Sequence, residues 1–276
     1  MSDSYRHVGR AAIVAIASIA GSRGLAAQTD YYNTDRGRPV QIEDAHSTER
    51  HAFELKVAPI RLERSRGPVY NWTAEPEIAY GILPRTHIEV GVPLVYTDVA
   101  GVRWRGLAGL ELSAFYSFNV ETETFPALAV RADVLAPVGN LAPDKAYPSL
   151  TGLMTRTFSQ LRIHANGQYT FGTAPAASGT TSQSEISRWL AGVAIDKTYP
   201  LKSMLLTAEL YARGPFESGE DLEYSAGTGV RYQWSPTLAL DFGVGRRLSG
   251  DSPAWYLTFG SAYAFAVTAL IPGAGR

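Results

Sequence analysis

Residues 161–171, LRIHANGQYTF, decide the fold class because their polarity changes at every residue. Apolar, small or aromatic residues stand at the odd positions from Leu161 to Phe171, and polar ones stand at the even positions from Arg162 to Thr170. A period of two is that of a β-strand with one face in an apolar environment and the other in a polar one. The stretch therefore predicts a two-faced strand and not a helix.

The same alternation recurs along the chain from residue 51 onward. Residues 70–82 and 222–234 alternate as clearly, and no run of ten or more residues shows a clean helical period. The pattern predicts an all-β chain with strands of about ten residues, the length that a tilted strand needs to cross a bilayer. The predicted strands are 51–63, 69–82, 87–96, 107–119, 125–135, 149–157, 161–171, 188–197, 203–213, 222–234, 238–247 and 254–266.

The predicted connections are short and long in alternation, which is typical of outer-membrane barrels with short periplasmic turns and longer outer loops. The short connections are 83–86, 158–160 and 235–237, and the long ones, rich in Gly, Pro and Ser, are 97–106, 136–148, 172–187 and 214–221. We therefore expect a single antiparallel transmembrane β-barrel of about 12 strands, within a range of 10 to 14.

A soluble β-sandwich also alternates, so the placement of the aromatic residues has to separate the two folds. On the predicted apolar face, aliphatic side chains such as Val130 and Leu240 lie between two groups of aromatic side chains. Two aromatic girdles around an apolar band favour a lipid-facing barrel. The outer group is Tyr70, Trp72, Tyr96, Tyr169, Phe171, Trp189, Tyr224 and Trp255, and the periplasmic group is Tyr80, Tyr116, Phe118, Tyr232, Trp234, Tyr263 and Phe265.

The two ends of the chain differ from the alternating region. Residues 1–27 have the basic start, short apolar run and small residues of a signal peptide, which predicts export. Residues 28–50 are polar without alternation, so they are either a periplasmic tail or a plug folded into the barrel. The barrel is expected over 51–267, with a tail at 268–276. The uncharged run 254–275 is long enough for a spanning helix, but the alternation from Trp255 to Val267 favours a strand.

Composition and site chemistry exclude several functions. With a net charge of −1 and no run of five or six like charges, the chain lacks the electrostatic signature of nucleic-acid binding, and without cysteine it has no disulfide framework. His164 and Asn166 are of hydrolase type, but no serine context supports a nucleophile, so we expect no enzyme, metal or cofactor. Gly227-Thr228-Gly229 lies in a strand and predicts a close backbone approach, not a phosphate loop.

The polar face of the strands is expected to line the lumen and to contact solute. Acidic groups fall on the early strands: Glu54, Glu75, Glu77, Glu89 and Glu111. Basic groups fall mainly on the later strands: Arg131, Arg156, Arg162, His164, Arg188, Arg213, Arg231 and Arg247. Such segregation would set a transverse field across a selective channel, whereas pairing of the same charges would fill the lumen. The two alternatives are a channel or passive transporter and a structural or assembly-related barrel.

Short motifs add a family resemblance. Thr34-Asp35-Arg36 with Pro39, then Glu43-Asp44-Ala45, precede Phe53-Glu54-Leu55, and 75–82 (EPEIAYGI) and Ile88-Glu89-Val90 follow. These motifs resemble a family of bacterial outer-membrane barrels that transport compounds of a phenol meta-cleavage pathway, although Gly37-Arg38 interrupts the family's tighter Thr-Asp-Arg-Pro. The resemblance implies passage of small solutes, aromatic ones included, across the outer membrane of a Gram-negative bacterium. The expected partners are outer-membrane lipid and lipopolysaccharide, the barrel-assembly machinery and a small-molecule solute.

Overall fold

The computed structural model describes residues 33–65, 67, 69–159, 161–175, 186–216, 221–249, 254–267 and 270. The predicted signal peptide and all of the predicted C-terminal tail except residue 270 lie outside these residues. No helix in the described part of the chain is long and apolar enough to cross a membrane.

The chain forms a closed antiparallel barrel, which confirms the predicted fold class and its 12 strands. Each strand pairs with its neighbours in chain order, and the last strand pairs with the first along Ala52–Arg64 and Trp255–Ala266 to close the wall. Fifteen segments make up the wall. They are β1 Ala52–Ser65, β2 Val69–Ala74, β3 Glu77–Leu83, β4 Thr86–Gly91, β5 Leu94–Val99, β6 Val102–Leu107, β7 Leu110–Ser117, β8 Ala127–Ala136, β9 Tyr147–Phe158, β10 Leu161–Thr170, β11 Trp189–Thr198, β12 Met204–Gly214, β13 Glu223–Ser235, β14 Leu238–Arg247 and β15 Trp255–Ala266.

Three barrel strands are each divided into two segments, namely β2–β3, β4–β5 and β6–β7. Pro76 and Pro93 lie in the first two interruptions, where a residue without an N–H cannot continue the ladder. The interruptions are neighbours, because Val92 N donates to Pro76 O at 3.0 Å and Ala108 N donates to Pro93 O at 2.8 Å. Beside them, β1 shifts register between Val57 and Ile60. A line of discontinuities therefore crosses four adjacent strands at mid-height.

The prediction of a long loop at 97–106 is wrong. Ala100 and Gly101 have φ angles of 52° and 90°, and a two-residue turn with positive φ at both positions matches the twist of a tight hairpin. The strands therefore continue to Val99 and resume at Val102.

The two ends of the barrel can be told apart by their connections. We call the end that carries the connections 137–146, 171–188, 215–222 and 248–254 the loop end, and the opposite end, where β1 begins, the turn end. The exterior face exposes aliphatic side chains between aromatic ones: Trp72 and Trp255 are 50% and 59% exposed near the loop end, and Trp234 is 68% exposed near the turn end. The interior is mainly small or polar, with some large apolar side chains such as Phe115, Leu153 and Leu205, and it holds the segment that precedes β1.

Candidate functional site

Residues 33–48 lie inside the barrel, and Glu49 and Arg50 are exposed where the segment joins β1. The segment leaves the wall at the turn end, where His51 N donates to Gly81 O at 2.7 Å, and Thr48 N donates to His87 Nδ1 at 3.0 Å. Further in, Arg38 and Ile42 are 1% and 0% exposed. The described part of the segment that precedes β1 therefore fills the lumen at mid-height.

Residues 34–44 form an Ω-loop, a compact loop whose two ends meet. Thr34 N donates to Asp44 Oδ2 at 3.0 Å, and Asp44 N donates to Thr34 O at 3.1 Å. Between these ends a turn is closed by Arg38 N, which donates to Asp35 O at 3.0 Å. The Ω-loop lies across the lumen as one unit tied at its base.

Interior glycines form the seat of the Ω-loop. A Cβ at Gly229 would lie 2.6 Å from Pro39 Cβ, and one at Gly243 would lie 2.3 Å from Pro39 O. On β11, a Cβ at Gly192 would lie 2.7 Å from Ile42 Cδ1. Any side chain at these positions would meet the Ω-loop, so the wall is shaped to receive it.

Asp35 is the centre of one group of ion pairs. Its carboxylate contacts Arg38 and lies 3.0 Å from both Lys56 Nζ and Arg231 Nη1. Burial alone would raise the pKa of Asp35, but these three cations outweigh it and hold the pKa well below its usual range. Arg38 Nη1 also lies 3.2 Å from Asp241 Oδ2 on β14. The tip of the Ω-loop is thus bound to β1, β13 and β14 by charge.

A second group of ion pairs lies at the base of the Ω-loop. Glu43 contacts Arg131 on β8, and Asp44 Oδ2 lies 3.9 Å from Arg162 Nη1 on β10. Burial outweighs the attraction of Arg131 and raises the pKa of Glu43 to about 8. Arg36 contacts Glu111 on β7, the strand that pairs with β8. The Ω-loop therefore presents an arginine to the predicted acidic wall and carboxylates to the predicted basic wall.

The residues predicted to contact solute lie as follows. Interior-facing strand positions hold Glu54, Glu77, Glu89, Glu111, Arg131, Arg162, His164, Arg213, Arg231 and Arg247, and Glu75 lies at the interruption between β2 and β3. The structure brings Glu77 and Glu89 to Lys56, Glu54 to Arg231, and Arg247 to Glu63 and Glu223.

His164 is fully buried and both of its ring nitrogens are engaged. Nδ1 lies 2.9 Å from Thr155 Oγ1, and Nε2 lies 2.8 Å from Asp196 Oδ2, which also pairs with Arg162 at 2.7 Å. These contacts make His164 part of the wall's hydrogen-bond network.

The prediction that Arg156 faces the lumen is wrong. Arg156 occupies one of the even-numbered positions of β9, which face the exterior. Its guanidinium donates to the carbonyls of Thr122 and Glu123 in the β7–β8 connection. Arg188, which precedes β11, donates to the carbonyls of Thr170 and Gly172 at the loop end.

Sequence reasoning missed the charged residues of the Ω-loop as lumen groups, namely Asp35, Arg36, Arg38, Glu43 and Asp44. A segment without alternation carries no signal of which way its side chains point. A usable signal was the presence of glycines at interior positions of β13 and β14, where a wall that faced only water would have no need of them.

Above the Ω-loop, towards the loop end, the lumen opens into a cavity of about 200 Å³, which we call the vestibule. Arg36 and Gln41 of the Ω-loop are in its lining, and Arg213 Nη2 donates to Gln41 Oε1 at 3.3 Å. Its wall includes Arg61, Glu63, Asn71, Thr73, Glu75, Glu111, Gln168, Arg213 and Arg247. The vestibule is therefore polar, with charges of both signs.

No protein-family model and no curated protein sequence matches the chain. Among solved structures, it is similar to the COG4313 outer membrane channel from Pseudomonas putida F1, with a TM-score of 0.59 and 12% identity over 84% of this chain and 100% of that one. It also matches the KdgM porin (TM-score 0.48, 14% identity, 77% of this chain and 98% of that one). A third match is the CymD monoaromatic hydrocarbon channel (TM-score 0.46, 9% identity, 79% and 89%). The first of these similarities shows that the chain shares the barrel fold of the Pseudomonas putida channel.

Proposed function

We propose that the protein is an outer-membrane channel for small solutes and that the Ω-loop is its gate. The observation that carries this proposal is the fit between the Ω-loop and the wall, since each of its five ionisable side chains contacts an ionisable group of opposite type that lines the lumen. The apolar exterior with aromatic residues near both ends supports a membrane location, and the fold shared with an outer-membrane channel supports the outer membrane of a Gram-negative bacterium.

The nature of the contacts favours a removable gate. Eight-stranded barrels are filled by their own side chains and barrels of 16 to 18 strands are open, so a 12-stranded barrel has room that another segment can occupy. Ion pairs and glycine contacts hold most of the Ω-loop, and its large buried aliphatic side chains are Val40 and Ile42. Water and ions in an opened lumen can replace ion pairs, whereas they cannot replace apolar contacts.

The vestibule suggests the class of solute. At about 200 Å³ it exceeds the roughly 150 Å³ of an apolar cavity that holds benzene. Its arginine and glutamate side chains suit a single-ring molecule that carries polar or charged groups. We include in the proposal that the acidic groups of β1–β7 and the basic groups of β8–β14 orient such a solute through a transverse field.

The test is single-channel recording of the refolded mature protein in a planar bilayer. We expect small or rare openings from the intact chain and several-fold larger, steady steps after deletion of residues 28–50. A control in which residues 28–32 are replaced by Gly-Ser residues keeps the Ω-loop and should behave like the intact chain. Folding of each variant is checked by its heat-dependent migration in detergent gels.

A structural barrel with a filled lumen is the second candidate, and the ion pairs formed within the wall favour it. Arg131 Nε lies 3.0 Å from Asp133 Oδ1, and Lys56 Nζ lies 3.5 Å from Glu77 Oε2, without help from the Ω-loop. A correctly folded barrel that stays silent after deletion of residues 28–50 would contradict the gate and support this alternative.

A further inference from the structure

One side of the barrel exterior carries a continuous row near the loop end that consists of three arginines, two aromatic residues and one aspartate. Six neighbouring strands contribute one residue each, and every residue is the register partner of the next. Since adjacent strands lie about 4.8 Å apart, the row extends over about 24 Å of the wall. In order, the row consists of Arg246, Trp255, Arg64, Tyr70, Asp98 and Arg103.

The arginines of this arginine–aromatic row lie against the rings. Arg246 Cζ is 5.1 Å from the ring centroid of Trp255, and Arg64 Cζ is 5.7 Å from that of Tyr70. Trp255 has an arginine on each flanking strand, and its side chain is 59% exposed. Cation–π contacts of this kind hold the guanidinium groups in place at the surface.

A second row, one step towards mid-height, extends the same surface. Trp72 pairs with Tyr96, and Tyr96 pairs with Arg105. Tyr70, Trp72, Tyr96 and Asp98 line a shallow open groove between the two rows. The surface thus combines basic groups with an aromatic platform.

Charge on this surface is unbalanced. Arg103 Nε donates to Asp98 at 2.9 Å, but no carboxylate of a described residue lies within ion-pair distance of Arg64, Arg105 or Arg246. This differs from the lumen, where Arg131 pairs with two carboxylates and Arg231 with three.

The other side of the barrel exterior is less basic at this level. On the described strands β8–β13, the exterior positions level with the row carry no charged side chain; they hold Val134, Pro148, Tyr169, Trp189, Ala212 and Tyr224. Arg188, which precedes β11, lies beside them with its Cζ 5.7 Å from the ring centroid of Tyr169, and its guanidinium donates to the carbonyls of Thr170 and Gly172.

We propose that the arginine–aromatic row binds the phosphate groups of lipopolysaccharide, the phosphorylated glycolipid of the outer leaflet. Aromatic side chains take the interfacial level of a membrane, and the longer loops of such barrels face outward, so the row lies at the outer headgroups. Guanidinium groups match phosphate oxygens through paired hydrogen bonds, and the groove accommodates the sugar and acyl base beside them. The inference rests on the outer-membrane location proposed above but not on conduction.

The test measures lipid binding to the full mature barrel by native mass spectrometry. The probes are short-chain lipopolysaccharide, its enzymatically dephosphorylated form and phosphatidylglycerol. We expect R64Q/R246Q to bind phosphorylated lipopolysaccharide about tenfold more weakly or worse. The matched control K197Q/K202Q removes two exposed positive charges near the turn end and should bind like the wild type.

The outcomes separate the possible sources of binding. An R64K/R246K variant keeps the charge and serves if the glutamine variant does not fold; it should bind several-fold more weakly, because lysine cannot pair with phosphate through two parallel hydrogen bonds. Wild-type affinity in both row variants, undiminished binding of the dephosphorylated glycolipid, or equal affinity for phosphatidylglycerol would overturn the proposal. Conductance recorded on the same samples tests the channel separately.

Discussion

The lumen has two levels that the same wall builds in different ways. At mid-height, Arg38, Asp44 and Arg231 are each about 1% exposed, and their charges are matched by carboxylates or cations of the wall and the Ω-loop. In the vestibule, Arg213 is only half-buried and bonds to a neutral amide, Gln41. Charges at mid-height therefore depend on partners that the Ω-loop brings, whereas those in the vestibule can be solvated.

A charged lumen residue can therefore have one of two distinct roles. Where water is excluded, a charge without its partner is costly, so the charged residue holds the Ω-loop and the wall together. Where water enters, we expect the charge to act on solutes instead. Four changes test this division.

The largest loss in the free energy of unfolding is expected from Arg231→Leu. The change leaves Asp35, Glu54 and Asp241 near one another without a cation that contacts all three, and breaking a buried ion pair from one side costs about 3–5 kcal/mol. The matched change in the vestibule, Arg213→Leu, should cost about 1 kcal/mol or less. Urea unfolding of the barrel in detergent micelles measures both, and equal losses would contradict the two-level description.

The next largest effect is expected on channel opening, from changes at the interior glycines that form the seat of the Ω-loop. Gly229→Val or Gly243→Val would force side-chain atoms into Pro39 and disfavour the seated Ω-loop by about 1–3 kcal/mol. The open fraction in single-channel recordings should rise by roughly 5- to 150-fold. Gly152→Val is the control, since a Cβ there meets no atom within 4 Å. Unchanged gating in the seat variants would mean that these glycines do not hold the gate.

A smaller effect is expected from pH through Glu43. Its pKa rises from a usual 4.5 to about 8 in the seated state, so seating is most favourable below pH 4.5 and weakens as the pH rises from there through 8. Asp35 and Asp44 have lowered pKa values, so they stay ionised over this range and add nothing to the trend. Openings should be more frequent at pH 8.5 than at pH 5.

Glu43→Gln isolates this contribution. The variant retains the charged groups around Glu43, namely Arg131, Glu89, Lys56 and Asp35, and it also retains His46. Any pH dependence of the opening frequency that persists in the variant therefore belongs to groups other than Glu43. If the opening frequency of the variant depends on pH in the same way as that of the wild type, Glu43 does not titrate in the seated loop.

The smallest effect is expected from Arg213→Gln. A vestibule charge in contact with electrolyte is screened over about 8–10 Å, so the anion-to-cation permeability ratio should fall by less than roughly twofold. Reversal potentials under a salt gradient measure the ratio, best in the chain that lacks residues 28–50. A complete reversal of selectivity would contradict this expectation and would indicate that Arg213 lies at the narrowest part of the lumen that remains after the deletion.

Alternation predicted the continuous strands well and the interrupted ones poorly. The segments from β8 to β15 begin and end within about two residues of the predicted strands. In the sector from β2 to β7, the alternation predicts continuous strands through Pro76 and Pro93 and a loop in place of the β5–β6 hairpin, and the structure differs at all three points. Odd-numbered side chains face the interior both before and after each of the first two interruptions. The alternation of polarity therefore continues across them and cannot reveal them.

The residues that face the lumen could be predicted from the sequence, but the ion pairs that they form could not. Parity places Glu89 and Arg231 in the lumen, yet the contact of Asp35 with Arg231 joins residues 196 positions apart. Such a contact depends on where the Ω-loop lies, and residues 28–50 carry no period from which that position could be read. The sequence therefore left a tail and a plug as equal alternatives.

The closure of the barrel by β1 and β15 has a consequence for the order of assembly. The Ω-loop is tethered directly to β1, a strand of the closing seam, while Gly229 and Gly243 of its seat belong to β13 and β14. The seat of the Ω-loop is complete only when β13 and β14 have joined the wall. A strand of the closing seam therefore carries a segment that we expect to dock late in assembly.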